Sequence, residues 1–163
     1  MKRIFFAGLI LSILFFSSCQ TDSKLTLKQF RTTYNVNAKT FGAQEISQIS
    51  VINDGTEDFL IQELNDIFTA IIYFEKPVSQ QKISFINLLI ALGKNEQESD
   101  TLWNILYAVV STVEQNLEPE EIVRFCNDEI IYMEPGRKVE SANGNIYSGT
   151  ELFGTVFILI ELK

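Results

Sequence analysis

Hydrophobic positions recur along the chain in two rhythms, and the change from one to the other predicts its elements. Leu27, Phe30, Tyr34, Ala38 and Phe41 follow at three- and four-residue steps, the spacing of one helix face. Thr26 offers an N-cap, and Gly42 stands where a C-cap glycine belongs. From Glu45 the rhythm shortens towards two. Ile49 and Val51 flank Ser50, and the run stops at the turn sequence Asn53-Asp54-Gly55-Thr56. Residues 59–64 form a second strand candidate, broken by Asn65-Asp66. Residues 67–74, rich in β-branched and aromatic side chains, form a third that Pro77 ends. The apolar run 83–92 fits a buried strand or a short helix stopped by Gly93. A turn over residues 76–80 would return it beside the preceding strand, so a strand is expected.

Helical spacing then returns. Ser99 or Asp100 is expected to cap a helix whose apolar face carries Leu102, Trp103, Leu106, Val109, Val110 and Val113. Leu117-Glu118-Pro119-Glu120-Glu121 ends it and opens another, with proline early and acidic groups at the positive end of the helix dipole. Ile122, Phe125 or Cys126, and Ile130 are expected to face inward. Asn143-Gly144 predicts a hairpin between residues 137–142 and 145–148. Residues 153–162 are nearly all apolar and read as a central strand covered on both faces. The order is one helix, three or four strands, two helices and three strands, without repeats or a Pro/Gly-rich linker. It predicts a single α+β domain over residues 26–163, an antiparallel sheet with helices packed on one face.

The first residues follow a different logic. Lys2 and Arg3 precede an apolar stretch over residues 4–16, interrupted by Gly8 and Ser12 and short for a membrane span. Phe16-Ser17-Ser18-Cys19 follows, and small residues before a cysteine resemble the lipobox of bacterial lipoproteins. The resemblance covers only about the first 20 residues and departs from the commonest pattern at Phe16, where that family more often has Leu. It implies a signal peptide over residues 1–18, cut before Cys19, and acylation of Cys19 as a membrane anchor. Residues 19–25 are then the lipidated cysteine and a short tether. Gln20 after the cysteine is, by the same resemblance, compatible with an outer-membrane or cell-surface location rather than the inner membrane.

Processing changes the composition. Twelve of the 18 signal residues are apolar, so the 46% hydrophobic content of the whole chain overstates that of the mature part. Loss of Lys2 and Arg3 leaves 11 of the 13 basic residues against 21 acidic ones, moving the net charge from -8 to -10. Such acidity speaks against a nucleic-acid partner, whose phosphates require Lys and Arg. It fits a protective or immunity-type role, in which an acidic protein covers a basic one. With Cys19 acylated, Cys126 has no thiol partner in the chain, and a semi-buried free cysteine is expected.

The chain contains no histidine. That removes Ser–His and Cys–His nucleophiles and the commonest metal ligand. No phosphate-binding glycine motif occurs, and zinc lacks both histidines and a cysteine cluster, so neither cofactor nor metal is expected. Ser79-Gln80-Gln81-Lys82 resembles the nucleophile motif of penicillin-binding proteins and β-lactamases, but the Lys-Thr-Gly of that family is missing. Asn53 to Asp58 gathers oxygens suited to calcium without the EF-hand spacing, and a plain turn is the expectation. Glu118, Glu120 and Glu121 already serve a helix start. Trp103 and Tyr107 could line a groove, with core packing the better expectation. The Asn145-Ile146-Tyr147 segment, running through Ser148-Gly149-Thr150, suits a hairpin with one solvated face, whose edge could take a peptide by strand addition. The expected function is therefore non-enzymatic: a lipid-anchored envelope protein that binds a protein or a small molecule. The alternative is an envelope enzyme using two carboxylates on glycans.

Overall fold

The computed structural model describes residues 25–47, 52–53, 58–65, 68–74, 82–91, 96–152 and 155–163. Helix α1, Leu27–Phe41, begins as its sequence predicts. Thr26 Oγ1 accepts from the Gln29 N–H at 3.3 Å, and the Thr26 N–H donates back to Gln29 Oε1 at 2.9 Å, a reciprocal capping box. Gly42 ends the helix at φ 70°, returning its N–H to the Ala38 carbonyl, a left-handed conformation that favours glycine. Leu27, Phe30, Tyr34 and Ala38 are all buried.

Seven strands make one antiparallel sheet. They are β1 (Ile52–Asn53), β2 (Asp58–Asn65), β3 (Phe68–Phe74), β4 (Ile83–Ala91), β5 (Lys138–Glu140), β6 (Ile146–Leu152) and β7 (Thr155–Glu161). Their order across the sheet is β1-β2-β3-β4-β7-β6-β5. Residues 83–91 are thus a strand, paired with β3 on one side and β7 on the other. The expected strand positions Ile49 and Val51, the turn at 54–57 and the tether over 21–24 lie outside the described residues.

Helix α2, Glu96–Val113, crosses from β4 and is followed by α3, Pro119–Phe125. The expected caps Ser99 and Asp100 lie inside α2, whose first residue is Glu96. Glu96, Gln97 and Glu98 are good helix formers, and acidic residues favour a first turn, so the helix extends back through them. Glu118 caps α3 with Pro119 at the first position, as expected. One feature had no sequence signal: α3 runs on into a π-helical turn, Cys126–Ile131. The wider turn still brings Ile122, Cys126 and Ile130 inward, while Phe125 is only partly buried.

All described helices lie on one face of the sheet. Ala70, Ile72, Ile86, Leu88, Ile90, Ile158 and Ile160 point towards them and join Phe30, Tyr34, Leu106 and Val110 in one core. The chain is a single α+β domain whose antiparallel sheet carries its helices on one side. β7 is central, between β4 and β6, but the expectation that it is covered on both faces is not met. Ile158 and Ile160 are buried, whereas Leu159 between them is 37% exposed. An apolar strand reads alike whether one face or two are covered, and the connecting helices here all pack on the same side.

Candidate functional site

Two features of the fold carry chemistry: a buried carboxylate at the end of α2 and the uncovered sheet face. Glu114 directly follows α2 and is fully buried. The Tyr147 hydroxyl donates to Glu114 Oε1 at 2.7 Å, and Asn145 Nδ2 donates to the same oxygen at 2.9 Å. Asn143 Nδ2 donates to Oε2 at 2.8 Å. Two-residue spacing brings Asn145 and Tyr147 to the same side of the chain, and the turn before them carries Asn143 to the other carboxylate oxygen. Asn145 Oδ1 also accepts from the Lys163 N–H at 3.3 Å, and Asn116 Nδ2 donates to Asn143 Oδ1 at 3.1 Å. One carboxylate therefore ties the end of α2 to the β5–β6 hairpin and the last residue.

Among the described residues no lysine or arginine pairs with Glu114; the ion pairs Lys39–Glu45, Arg137–Glu129 and Lys163–Glu140 lie elsewhere. Three hydrogen-bond donors thus converge on the two Glu114 oxygens. Burial first, and the Glu114 charge second, push the Tyr147 hydroxyl well above its ordinary ionisation range. The same two causes raise the Cys126 thiol, so Cys126 stays a protonated, buried side chain. It is free, as expected, but fully rather than partly buried. Glu114 was not singled out from the sequence. Its partners Asn143, Asn145 and Tyr147 lie 29, 31 and 33 residues downstream, beyond the reach of a local pattern.

The hairpin has one solvated face, as expected: Ile146, Ser148 and Thr150 face away from the helices, while Asn145 and Tyr147 point inward, with Tyr147 packed edge-on against Phe125 at 5.3 Å. The turn differs from a two-residue Asn-Gly loop. The Gly144 N–H closes on the Ser141 carbonyl at 2.9 Å with φ 83° at Gly144, and the Ser141 N–H closes on Asn145. Asn143 thus sits within a longer loop, where its amide reaches Glu114.

The remaining sequence candidates are dispersed. Cys19 and Ser79 lie outside the described residues, while Lys82 bridges Thr26. Asn53 and Asp58 pair across β1 and β2, so the proposed calcium segment joins two hairpin strands. Among the described residues no group of three acidic, cysteine or histidine side chains could hold a metal. Glu121 accepts from the Glu118 N–H at 3.0 Å, a capping contact. Trp103 and Tyr107 pack against the core; the Tyr107 ring meets Phe41 at 5.8 Å and its hydroxyl donates to Asn127. Glu114 is the one buried carboxylate among the described residues, and both its oxygens are engaged.

The second feature is the sheet surface opposite the helices. Register aligns three cross-strand rows there: Tyr73, Phe85, Glu161 and Ile146; Ile71, Asn87, Leu159 and Ser148; Thr69, Leu89, Phe157 and Thr150. Seven of these twelve positions are large and apolar or aromatic, and only Glu161 is charged. Phe85 and Leu159 are each 37% exposed, against 0% for Ile86 and Ile160 beside them. None of the twelve joins the helix-packed core, and none belongs to the apolar side chains packed against it. An antiparallel sheet with one solvated face ordinarily alternates apolar inside with polar outside; here the outer face stays apolar across the central strands. The outer edge of β6 is also free past Ser148 among the described strands, since β5 pairs only with residues 146–148. Comparison of the chain with protein-family models, curated proteins and solved structures finds no match.

Proposed function

We propose that this protein is a non-enzymatic, lipid-anchored binding protein of the cell envelope, and that the uncovered sheet face is its contact surface. The observation that carries the reading is the row pattern of that face: apolar and aromatic side chains aligned across four adjacent strands with a single charge, half-buried at Ile71, Tyr73, Leu89, Ile146 and Phe157 and exposed at Phe85 and Leu159. Contiguous apolar surface of this kind marks interaction sites, because leaving it in water is unfavourable. The buried carboxylate supports the same assignment. Glu114 is saturated by three donors that join structural elements, and a glycosidase needs two carboxylates facing a substrate.

The anchor is Cys19, with residues 1–18 removed as signal, and Gln20 after it is compatible with the outer membrane or cell surface. The partner is a protein or a small molecule, with no nucleic acid and no cofactor. Its acidic side chains Glu118, Glu120, Glu121, Glu134, Glu140 and Glu151 are exposed and keep the rest of the domain well solvated; the first three belong to the start of α3, and Glu140 continues the first row at the sheet edge on β5. In the full-length chain, Cys19→Ala is expected to abolish acyl labelling and move the protein out of the membrane fraction. Labelling that survives the substitution refutes the anchor. For the contact surface, Leu159→Asp should release any envelope component that co-purifies with the detergent-extracted chain; retention of all such components refutes the face.

A further inference from the structure

We infer that the uncovered sheet face is occupied by the same face of a second copy of this chain, giving a homodimer of two stacked sheets. The inference rests on the reading of that face as a contact surface and names its partner. Its chemistry is self-complementary. Glu161 is the only charged position of the twelve, and at the β5 edge Glu140 and Lys138 continue the first two rows with opposite signs, so the face selects neither a basic nor an acidic partner. The polar positions Asn87, Thr69, Ser148 and Thr150 all carry groups that both donate and accept. Asn87 stands between Ile71 and Leu159 on β4, the fourth of seven strands. A twofold axis along β4 places the two Asn87 amides where they can exchange hydrogen bonds, with apolar rows stacked on either side.

Size and chain exit point the same way. At about 4.8 Å between strands and about 3.4 Å per residue, the four strands that carry the rows cover roughly 19 Å by 24 Å in plan. Side-chain relief raises the accessible area above that plan, towards the roughly 800 Å² per partner of a stable interface. The chain enters the fold at the start of β4: the Leu25 carbonyl accepts from the Ile83 N–H at 2.8 Å, and Thr26 bridges Lys82. From Cys19 to Leu25 the extended tether spans at most about 21 Å. A twofold along β4 sends both tethers out of the same end, so both acyl anchors reach one membrane. The roughly 30° angle of aligned sheet packing preserves that arrangement. Confinement to one membrane further raises the effective concentration of the two faces.

The test uses the full-length chain in its native membrane, with the photo-cross-linker p-benzoylphenylalanine in place of Leu159 or, in a second chain, Phe85. A third chain carries it in place of Val36, which is 62% exposed on α1. The expected result is an adduct of twice the protomer mass from positions 159 and 85 and none from 36. Asn87→Asp, which keeps the side-chain shape but sets two carboxylates across the axis, should reduce that adduct at least tenfold. Adducts with a different protein or with lipid, and no self-adduct, overturn the dimer while leaving the face as a contact surface. No adduct from 159 or 85 overturns both readings, and an equal self-adduct from 36 overturns the dimer as non-specific. Sedimentation of the full-length chain in mild detergent gives a second measure that needs no probe. A dimer converted to monomer by Asn87→Asp supports the inference; a monomeric wild-type chain overturns it.

Discussion

The two faces of the sheet are built from similar amino acids and have opposite surroundings. On the helix side Ile72, Ile86, Leu88, Ile158 and Ile160 are at most 2% exposed, while on the other side Phe85 and Leu159 reach 37%. Hydrophobicity therefore does not decide which face is covered. The connections decide it: α1 leads into the first strands, α2 and α3 cross between β4 and β5, and all three settle on one side. A sheet that needs only one core would carry polar residues on its outer rows. Retaining Ile71, Leu89, Phe157 and Leu159 there fits a surface that is covered when the protein works.

The largest expected effect breaks the covered side. Ile160 is fully buried between Ile86 on β4 and Tyr147 on β6. Ile160→Ala removes buried methyl groups from both strand and helix contacts and should cost about 2–5 kcal/mol. Denaturant unfolding of the variant against wild type measures it. A loss below about 1 kcal/mol would mean that the two faces differ less in packing than their exposures indicate.

Slightly smaller is the expected loss at the buried carboxylate, which locks the end of α2 to the covered side through Tyr147. Glu114→Gln replaces one acceptor oxygen with an N–H₂ aimed at groups that are themselves donors. Buried donors are left facing each other, at about 2–4 kcal/mol. Tyr147→Phe deletes one donor and leaves Asn145 on the same oxygen, so about 1–2 kcal/mol is expected. If Tyr147→Phe proved the more damaging of the two, the carboxylate would not be the centre of the cluster.

Much of this fold was legible before the structure. Leu27 to Phe41 declared its helix, both its caps and its buried face, because cap chemistry and helical spacing are local properties. The strand nature of residues 83–91 followed from turn placement, and Pro119 marked α3. The one-sided covering of β7 was not legible, since period-two reading assigns side chains to faces without saying what lies on each. The Glu114 cluster joins positions about 30 residues apart, and a single glutamate after an apolar helix has no local signature. The π-turn at Cys126 was hidden for a related reason: Ile122, Cys126 and Ile130 keep an ordinary helical spacing through it.

Alkaline pH should probe the covered side selectively. Tyr34, Cys126 and Tyr147 are all buried, and burial raises each above its ordinary value, 10.0 for the tyrosines and 9.0 for the thiol. Above those values the unfolded chain releases protons that the folded chain retains, so the unfolded state binds fewer and stability falls as pH rises. The contribution is complete below about pH 9 and is lost progressively above it, by up to about 1.4 kcal/mol per pH unit for each group. Denaturant midpoints measured from pH 7 to 11 check the slope, and Cys126→Ala should make its first part shallower. An unchanged slope in that variant would show that the thiol titrates normally in the fold.

The smallest effect belongs to the open face and sharpens the comparison most. Leu159 is the chain neighbour of Ile160, on the same strand and in the same sheet, yet it points the other way. Leu159→Thr introduces a β-branched residue of high strand propensity and removes only partly buried apolar surface. In dilute protein it should change stability by less than about 1 kcal/mol. At high concentration or on a membrane the loss should grow, because an associated native state gains stability by mass action that the variant forgoes. Unfolding curves at two protein concentrations separate the cases. A concentration-independent loss as large as that of Ile160→Ala would place Leu159 within a second core inside one chain, and the two faces would then be alike.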